Sequence, residues 1–149
     1  MALKLSVRGG TPEQHKRIRN ITRWIVPYLL GSRQTSFLSI SIILSKTIHK
    51  NHYGECEVAD DNIRPRDFTI YLTHDISSRI LTRILAHELI HVKQFVKNEM
   101  FDYASSAYLS RWKGKTINTK GLDYRNVPWE REALKFEGRV AKAYQAANK

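Results

Sequence analysis

The sequence predicts an α+β domain in which helices pack against one small mixed sheet, and three observations carry that prediction. Segments opening at Thr11-Pro12 and at Pro128 place apolar residues at helical spacing behind N-terminal start signals. Residues 80–96 form a third and more apolar helical run. Between the first and third of these along the chain lie three short segments rich in alternating apolar and β-favouring residues, too short for helices. The resulting order is helix, three strands, helix, hairpin, helix, and 149 residues without a linker or repeat fit one domain spanning 1–149.

Each element has its own justification. Thr11 reads as an N-cap with Pro12 at the first helical position, and the helix runs to about residue 30 with Ile18, Ile21, Ile25 and Leu29 on its apolar side. Residues 37–44 begin by alternating Leu and Ile with Ser and are a strand; residues 54–59 and 67–72 supply two more. Ser77 caps the next helix, which reaches about residue 98. Within residues 108–119, Arg111-Trp112-Lys113-Gly114-Lys115 reads as a hairpin with Lys113 and Gly114 in its turn. Pro128 opens the last helix, whose first turn is acidic at Glu130 and Glu132.

The central helix contains His87-Glu88-Leu89-Ile90-His91, an H-E-x-x-H string. Two histidines four residues apart leave a helix on one face, one turn apart, where both imidazoles reach a single tetrahedral ion. Glu88 stands to one side, placed for proton transfer and outside the coordination sphere. With six His and eight Glu, such a string arises by chance in about one shuffle in a hundred, so context matters. Ile80, Ile84, His87, His91 and Phe95 share one helix stripe, which puts the histidines inward and leaves Arg79, Arg83, Lys93 and Lys97 to solvent. A structural histidine pair bonded to backbone carbonyls is the alternative.

A catalytic zinc takes three protein ligands and keeps one position open. Upstream candidates for the third are His15, His49, His52 and His74; no histidine follows the motif, so a downstream ligand is a carboxylate among Glu99, Asp102, Asp123, Glu130, Glu132 and Glu137. Glu99 and Asp102 are too near the motif to turn back over the ion. Glu130 and Glu132 open the next long helix, where helix packing brings a side chain to the motif.

The segment Ala86-His87-Glu88-Leu89-Ile90-His91-Val92, together with Pro128-Trp129-Glu130-Arg131-Glu132-Ala133, resembles the zincin metallopeptidases of gluzincin type. With Arg111-Trp112-Lys113-Gly114-Lys115, the combination is similar to small phage and microbial metallopeptidases, some of them SprT-like. The resemblance covers about residues 80–140. It implies a zincin-like fold, one Zn2+, and a third-ligand glutamate in an E-x-x-A register that Glu130, Ala133 and Phe136 fit, with Glu132 as the alternative. It implies a peptidase in which His87, His91 and Glu130 hold zinc and Glu88 is the general base, acting on polypeptide paired with the edge strand at residues 54–59. Tyr124, Arg125 and Tyr103 are candidate oxyanion stabilisers. The chain departs from the family at Leu134, where an acidic or amide residue often follows E-x-x-A, and in lacking the cysteine pairs of a zinc ribbon.

The remaining composition bounds the function. Cys56 is the one cysteine, which excludes an internal disulfide and a thiolate zinc knuckle, and it reads as a packed strand thiol. No apolar run approaches the roughly 20 residues of a membrane span, and residues 1–10 lack a secretory core, so the expected location is cytoplasmic and no membrane partner is expected. Twenty-five Lys and Arg against 14 Asp and Glu give a charge of +11, a surface for nucleic acid or acidic polypeptide, or one that is solubilising alone. Two further functional classes follow: a zincin-fold binding protein or DNA-associated accessory factor without turnover, and a metal-free nucleic-acid-binding domain.

Overall fold

A computed structural model describes residues 2–46, 52–103 and 107–149. Its elements are β1 (Lys4–Arg8), α1 (Pro12–Thr35), β2 (Ser39–Ser45), β3 (Gly54–Val58), β4 (Asp67–Thr73), α2 (Ser78–Val96), β5 (Met100–Asp102), β6 (Leu109–Trp112), β7 (Lys115–Asn118), a 3-10 turn at Tyr124–Asn126 and α3 (Pro128–Ala147). The class is α+β.

The larger sheet has the order β1-β2-β4-β3. β1 and β4 flank β2 in parallel, and β3 pairs antiparallel with β4, which leaves β3 with a free edge. Strict alternation in β2 and β4 buries Ile40, Ile42, Leu44, Phe68, Ile70 and Leu72 on one face. The alternate residues, Ser39, Ser41, Ile43 and Ser45 on β2 and Asp67, Thr69, Tyr71 and Thr73 on β4, face the other way and are half-buried, as period two requires. On the apolar face α2 lies between α1 and α3 and packs against β3 and β4. None of the described helices is long and apolar enough to cross a membrane.

Several local expectations hold for physical reasons. Thr11 and Gln14 form a reciprocal capping box at the start of α1, and the Ser77 hydroxyl accepts from Arg79 N at the start of α2. Lys113 (φ 49°) and Gly114 (φ 86°) both occupy the left-handed region, which gives the β6–β7 hairpin the turn twist that tight hairpins need.

Other expectations are corrected. The sheet is not single: β5, β6 and β7 form a second, antiparallel sheet of their own, entered through the turn after α2 in which Asn98 takes a left-handed φ of 59°. β1 was not expected as a strand. α1 extends past residue 30, since Gly31 (φ 80°) only kinks the path before a last turn to Thr35. The stripe carrying His87 is not the deepest one of α2. Leu81, Leu85, Leu89, Val92 and Val96 fill the core, while Ile80, Ile84, His87 and Phe95 are half-buried along its margin. Lys93 is half-buried and not solvated, because it meets Glu99 at 2.8 Å and Glu132 at 3.4 Å.

Candidate metal centre

α2 projects His87 and His91 one turn apart toward the first turn of α3, and Pro128 at the head of α3 fixes where that turn begins. Glu130 enters between them. His87 donates through Nε2 to Glu130 Oε1 at 3.0 Å, and His91 Nε2 lies 2.9 Å from Glu130 Oε2. The nearest ligand atoms of the three residues all fall within 4.8 Å of one another.

Both histidines are oriented from behind. His91 donates through Nδ1 to Gln94 Oε1 at 2.8 Å. The Gln94 amide cannot be reversed, because its Nε2 donates to the Trp129 carbonyl at 3.0 Å and to Glu132 Oε1 at 3.2 Å, both pure acceptors. Gln94 therefore places the His91 proton on Nδ1 and turns Nε2 toward Glu130. Glu137, two turns further along the same face of α3, sits 3.5 Å from His87 Nδ1, and Arg83 holds its other oxygen at 3.4 Å.

The donor set fits a metal ion. Two imidazole nitrogens and a carboxylate are a common zinc set with room for a fourth ligand. His91 Nε2 is buried and, despite its short distance to Glu130, is out of hydrogen-bond alignment with any partner among the described residues. Such an atom is expensive to bury unless something binds it. The electrostatics agree. Burial lowers the basicity of His87, but its bonds to Glu130 and Glu137 outweigh this and raise its pKa to about 10. His91 is raised as well: burial opposes, and Glu130 prevails. Burial would raise Glu130, yet the two histidines hold it down at about 2. Glu130 is thus an anionic donor in the metal-free protein, where the histidine protons balance its charge; a metal ion would bind in place of those protons.

Glu88 lies beside this group and is 4% exposed. Burial, with help from the charges of Glu130 and Glu55 and against those of His91 and His87, pushes its carboxyl up to about 7. Gly54 of β3 lies against it so closely that a Cβ there would stand 3.2 Å from Glu88 Cγ. Two clefts meet over the centre, of about 430 and 310 Å³, and share His52, Glu88, Tyr124 and Glu130. Burial and the charges of Glu130 and Glu88 raise the Tyr124 phenol, which stays protonated.

The other candidates fall elsewhere. Glu132 points away from the histidines into a network with Gln94, Lys93 and Lys113. Glu99 pairs with Lys93, Asp102 accepts from Ser110, and Asp123 caps the 3-10 turn. His15 bonds the Gly9 carbonyl, His74 is exposed, and His52 lines the clefts outside the three-residue group; His49 lies outside the described residues. Arg125 lines the smaller cleft, whereas Tyr103 packs on Phe101 and bonds Thr116 in the second sheet. Glu137, a third-ligand candidate by sequence, stands behind His87 and outside the three-residue group. Gln94 and Gly54 are additions that the structure makes; only Gln94 carries a spacing signal, three residues after His91 on the same helix face. Compared with known proteins, the chain matches no protein-family model, no curated protein and no solved structure.

Proposed function

We propose that this chain is a zinc-dependent peptidase of zincin type, related in its motifs to small SprT-like proteins. The observation that carries the reading is the convergence of His87, His91 and Glu130 within 4.8 Å beside the buried carboxyl of Glu88. Held by those three residues, zinc supplies Lewis-acid chemistry, polarising a peptide carbonyl and acidifying a water. The chain's own residues do the rest. Glu88, its carboxyl buried beside the three ligands, takes a proton from the attacking water and passes it to the leaving amine. Gly54 sets where that carboxyl lies. The free edge of β3 pairs with an extended substrate, and Tyr124, protonated and at the junction of both clefts, is the donor best placed for charge developing on the carbonyl oxygen.

The test is elemental analysis with a hydrolysis assay on an unstructured protein. The parent is expected to hold one zinc and cleave; Glu88→Gln is expected to hold one zinc and not cleave. Equal hydrolysis by both would remove the general-base assignment, and a parent without zinc would remove the whole reading.

A second reading, a zincin-fold binding protein without turnover, draws on the basic surface. Lys16 and Arg23 on α1 and Arg131, Lys135, Arg139 and Lys142 on α3 are exposed. Zinc bound without cleavage in the presence and absence of DNA would favour it.

A further inference from the structure

Charge on this molecule is segregated. Of its 25 Lys and Arg, none among the described residues lines the 430 Å³ cleft, whereas Glu55, Glu57, Glu88, Asp102 and Glu130 all do. An adjoining hollow of about 290 Å³ shares Phe95 and Asp102 with that cleft and adds Asp60 and Asp61, again without a basic residue. Half of the chain's 14 acids therefore line these two adjoining hollows, four of them, Glu55, Glu57, Asp60 and Asp61, on β3 and the turn beyond it.

Charges on an edge strand have a bland use, the prevention of edge-to-edge pairing. That use does not account for the pattern here. Lysine is the commoner blocker and this chain is rich in it, and Asp102 reaches the same cleft from β5 of the other sheet. Independently, Glu88 is 4% exposed, lines both clefts, and has no hydrogen bond or ion pair with any described residue, so its buried carboxyl faces the space a ligand would fill. The walls supply the other half of a recognition surface. Phe95, Met100 and Trp129 line the cleft beside the acids. Lys and Arg side chains lay apolar stems on such surfaces while their charged ends reach carboxylates.

We propose that the cleft selects a cationic polypeptide segment, an extended chain whose Lys or Arg stems rest on Phe95, Met100 and Trp129 and whose charges meet Glu55, Glu57 and Asp102. The inference rests on the reading of the centre as a peptidase site. It also runs against the long-range field, because a molecule of net charge +11 attracts polyanions and repels a basic peptide. A preference for cations can therefore come only from the cleft.

The experiment measures fluorescence anisotropy of labelled peptides matched in length, differing only in Lys, Gln or Glu at alternate positions, at physiological salt. The full-length Glu88→Gln protein, with and without one equivalent of zinc, prevents turnover during the measurement. The Lys peptide is expected to bind about tenfold more tightly than the Glu peptide, as two or three exposed ion pairs provide. The triple variant Glu55→Gln, Glu57→Gln, Asp102→Asn is expected to lose most of that ratio. Equal binding, a preference for the Glu peptide, or a ratio unchanged in the triple variant overturns the proposal. Cleavage of the same peptides by the parent protein is scored separately: cleavage of all three at equal rates with equal binding rejects the cationic preference alone, while cleavage of none rejects the peptidase reading and leaves the binding ratio to decide the cleft.

Discussion

Gly54 and Glu88 meet with no side chain between them: a Cβ on Gly54 would stand 3.2 Å from Cγ and 3.3 Å from Oε1 of Glu88, and 3.2 Å from Leu72 Cδ2. The glycine is needed here for close approach and not for its dihedral freedom. Gly54→Ala is expected to fold and to retain zinc, since no ligand moves directly. Displacing the Glu88 carboxyl by a fraction of an ångström is expected to cost about tenfold to a hundredfold in hydrolysis. Zinc stoichiometry and rate measured on one preparation separate the two effects, and an unchanged rate would mean that Leu72 absorbs the methyl.

Gln94 makes the second prediction. Gln94→Leu removes the acceptor of the His91 Nδ1 proton and strands a buried N–H, besides freeing the Trp129 carbonyl. Zinc affinity, measured by competition with a chelator, is expected to fall by about 10- to 100-fold. Nitrogen NMR of the metal-free imidazoles is expected to show His91 losing its fixed Nδ1 proton in the variant. Gln94→Glu keeps an acceptor for Nδ1 but sets its second oxygen against the Trp129 carbonyl and Glu132, both acceptors, and is expected to recover only part of the affinity.

These residues mark where the sequence stops being legible. The caps at Thr11 and Ser77, the Lys113-Gly114 turn and the α2 motif are local, each fixed by residues within a turn or two, and each is readable in order along the chain. The pairing of β1 is not local. Leu3, Leu5 and Val7 alternate with Lys4, Ser6 and Arg8, which is a local strand signal, but the parallel edge that this segment joins is β2, more than 30 residues on, and nothing local marks that pairing. β5 has three residues and exists only as a partner of β6. At the site, the spacing of His87 and His91 fixes one face of one helix, but the choice of Glu130 over Glu132 depends on how α3 is rotated against α2. Gly54 comes to Glu88 through sheet order alone.

Buried Glu88 predicts a trade of stability for chemistry. Its folded pKa of about 7 lies above the ordinary 4.5, so burial destabilises the metal-free fold above pH 7 and has no such effect below about pH 4.5. Glu88→Gln is therefore expected to raise the metal-free stability at pH 8 by about 1–3 kcal/mol, and by much less at pH 4. Urea denaturation at the two values measures it; a gain that is the same at both would assign the effect to packing.

His87 stabilises where Glu88 destabilises, yet both make the metal-free fold less stable as pH rises. His87, raised from 6.5 to about 10, adds stability to the metal-free protein that is complete below about pH 6.5 and lost as pH rises through 10. Glu130, lowered from 4.5 to about 2, adds stability present above about pH 4.5 and lost as pH falls through 2. With the Glu88 penalty growing from pH 4.5 to 7, the metal-free optimum is expected near pH 4.5–6.5 and not at neutrality. Zinc must displace the His87 proton, so its affinity is expected to rise with pH across the neutral range, with proton release detectable by calorimetry in two buffers.

Glu130 and Glu132 are two residues apart on α3 and are expected to fail in different ways. Glu130 bridges His87 and His91, so Glu130→Gln takes the anionic donor from the centre and leaves two basic imidazoles facing a neutral amide. It is expected to abolish stoichiometric zinc binding while the fold persists. Glu132 instead ties the β6–β7 turn to α2, taking Lys113 at 3.1 Å and Lys93 at 3.4 Å while it accepts from Gln94. Glu132→Gln is expected to keep zinc, to weaken its affinity by no more than the Gln94 variant does, and to increase amide exchange in β6 and β7 by releasing Lys113. Zinc content and hydrogen exchange on both variants decide between them: zinc lost from Glu132→Gln and kept by Glu130→Gln would reverse the assignment of the third ligand.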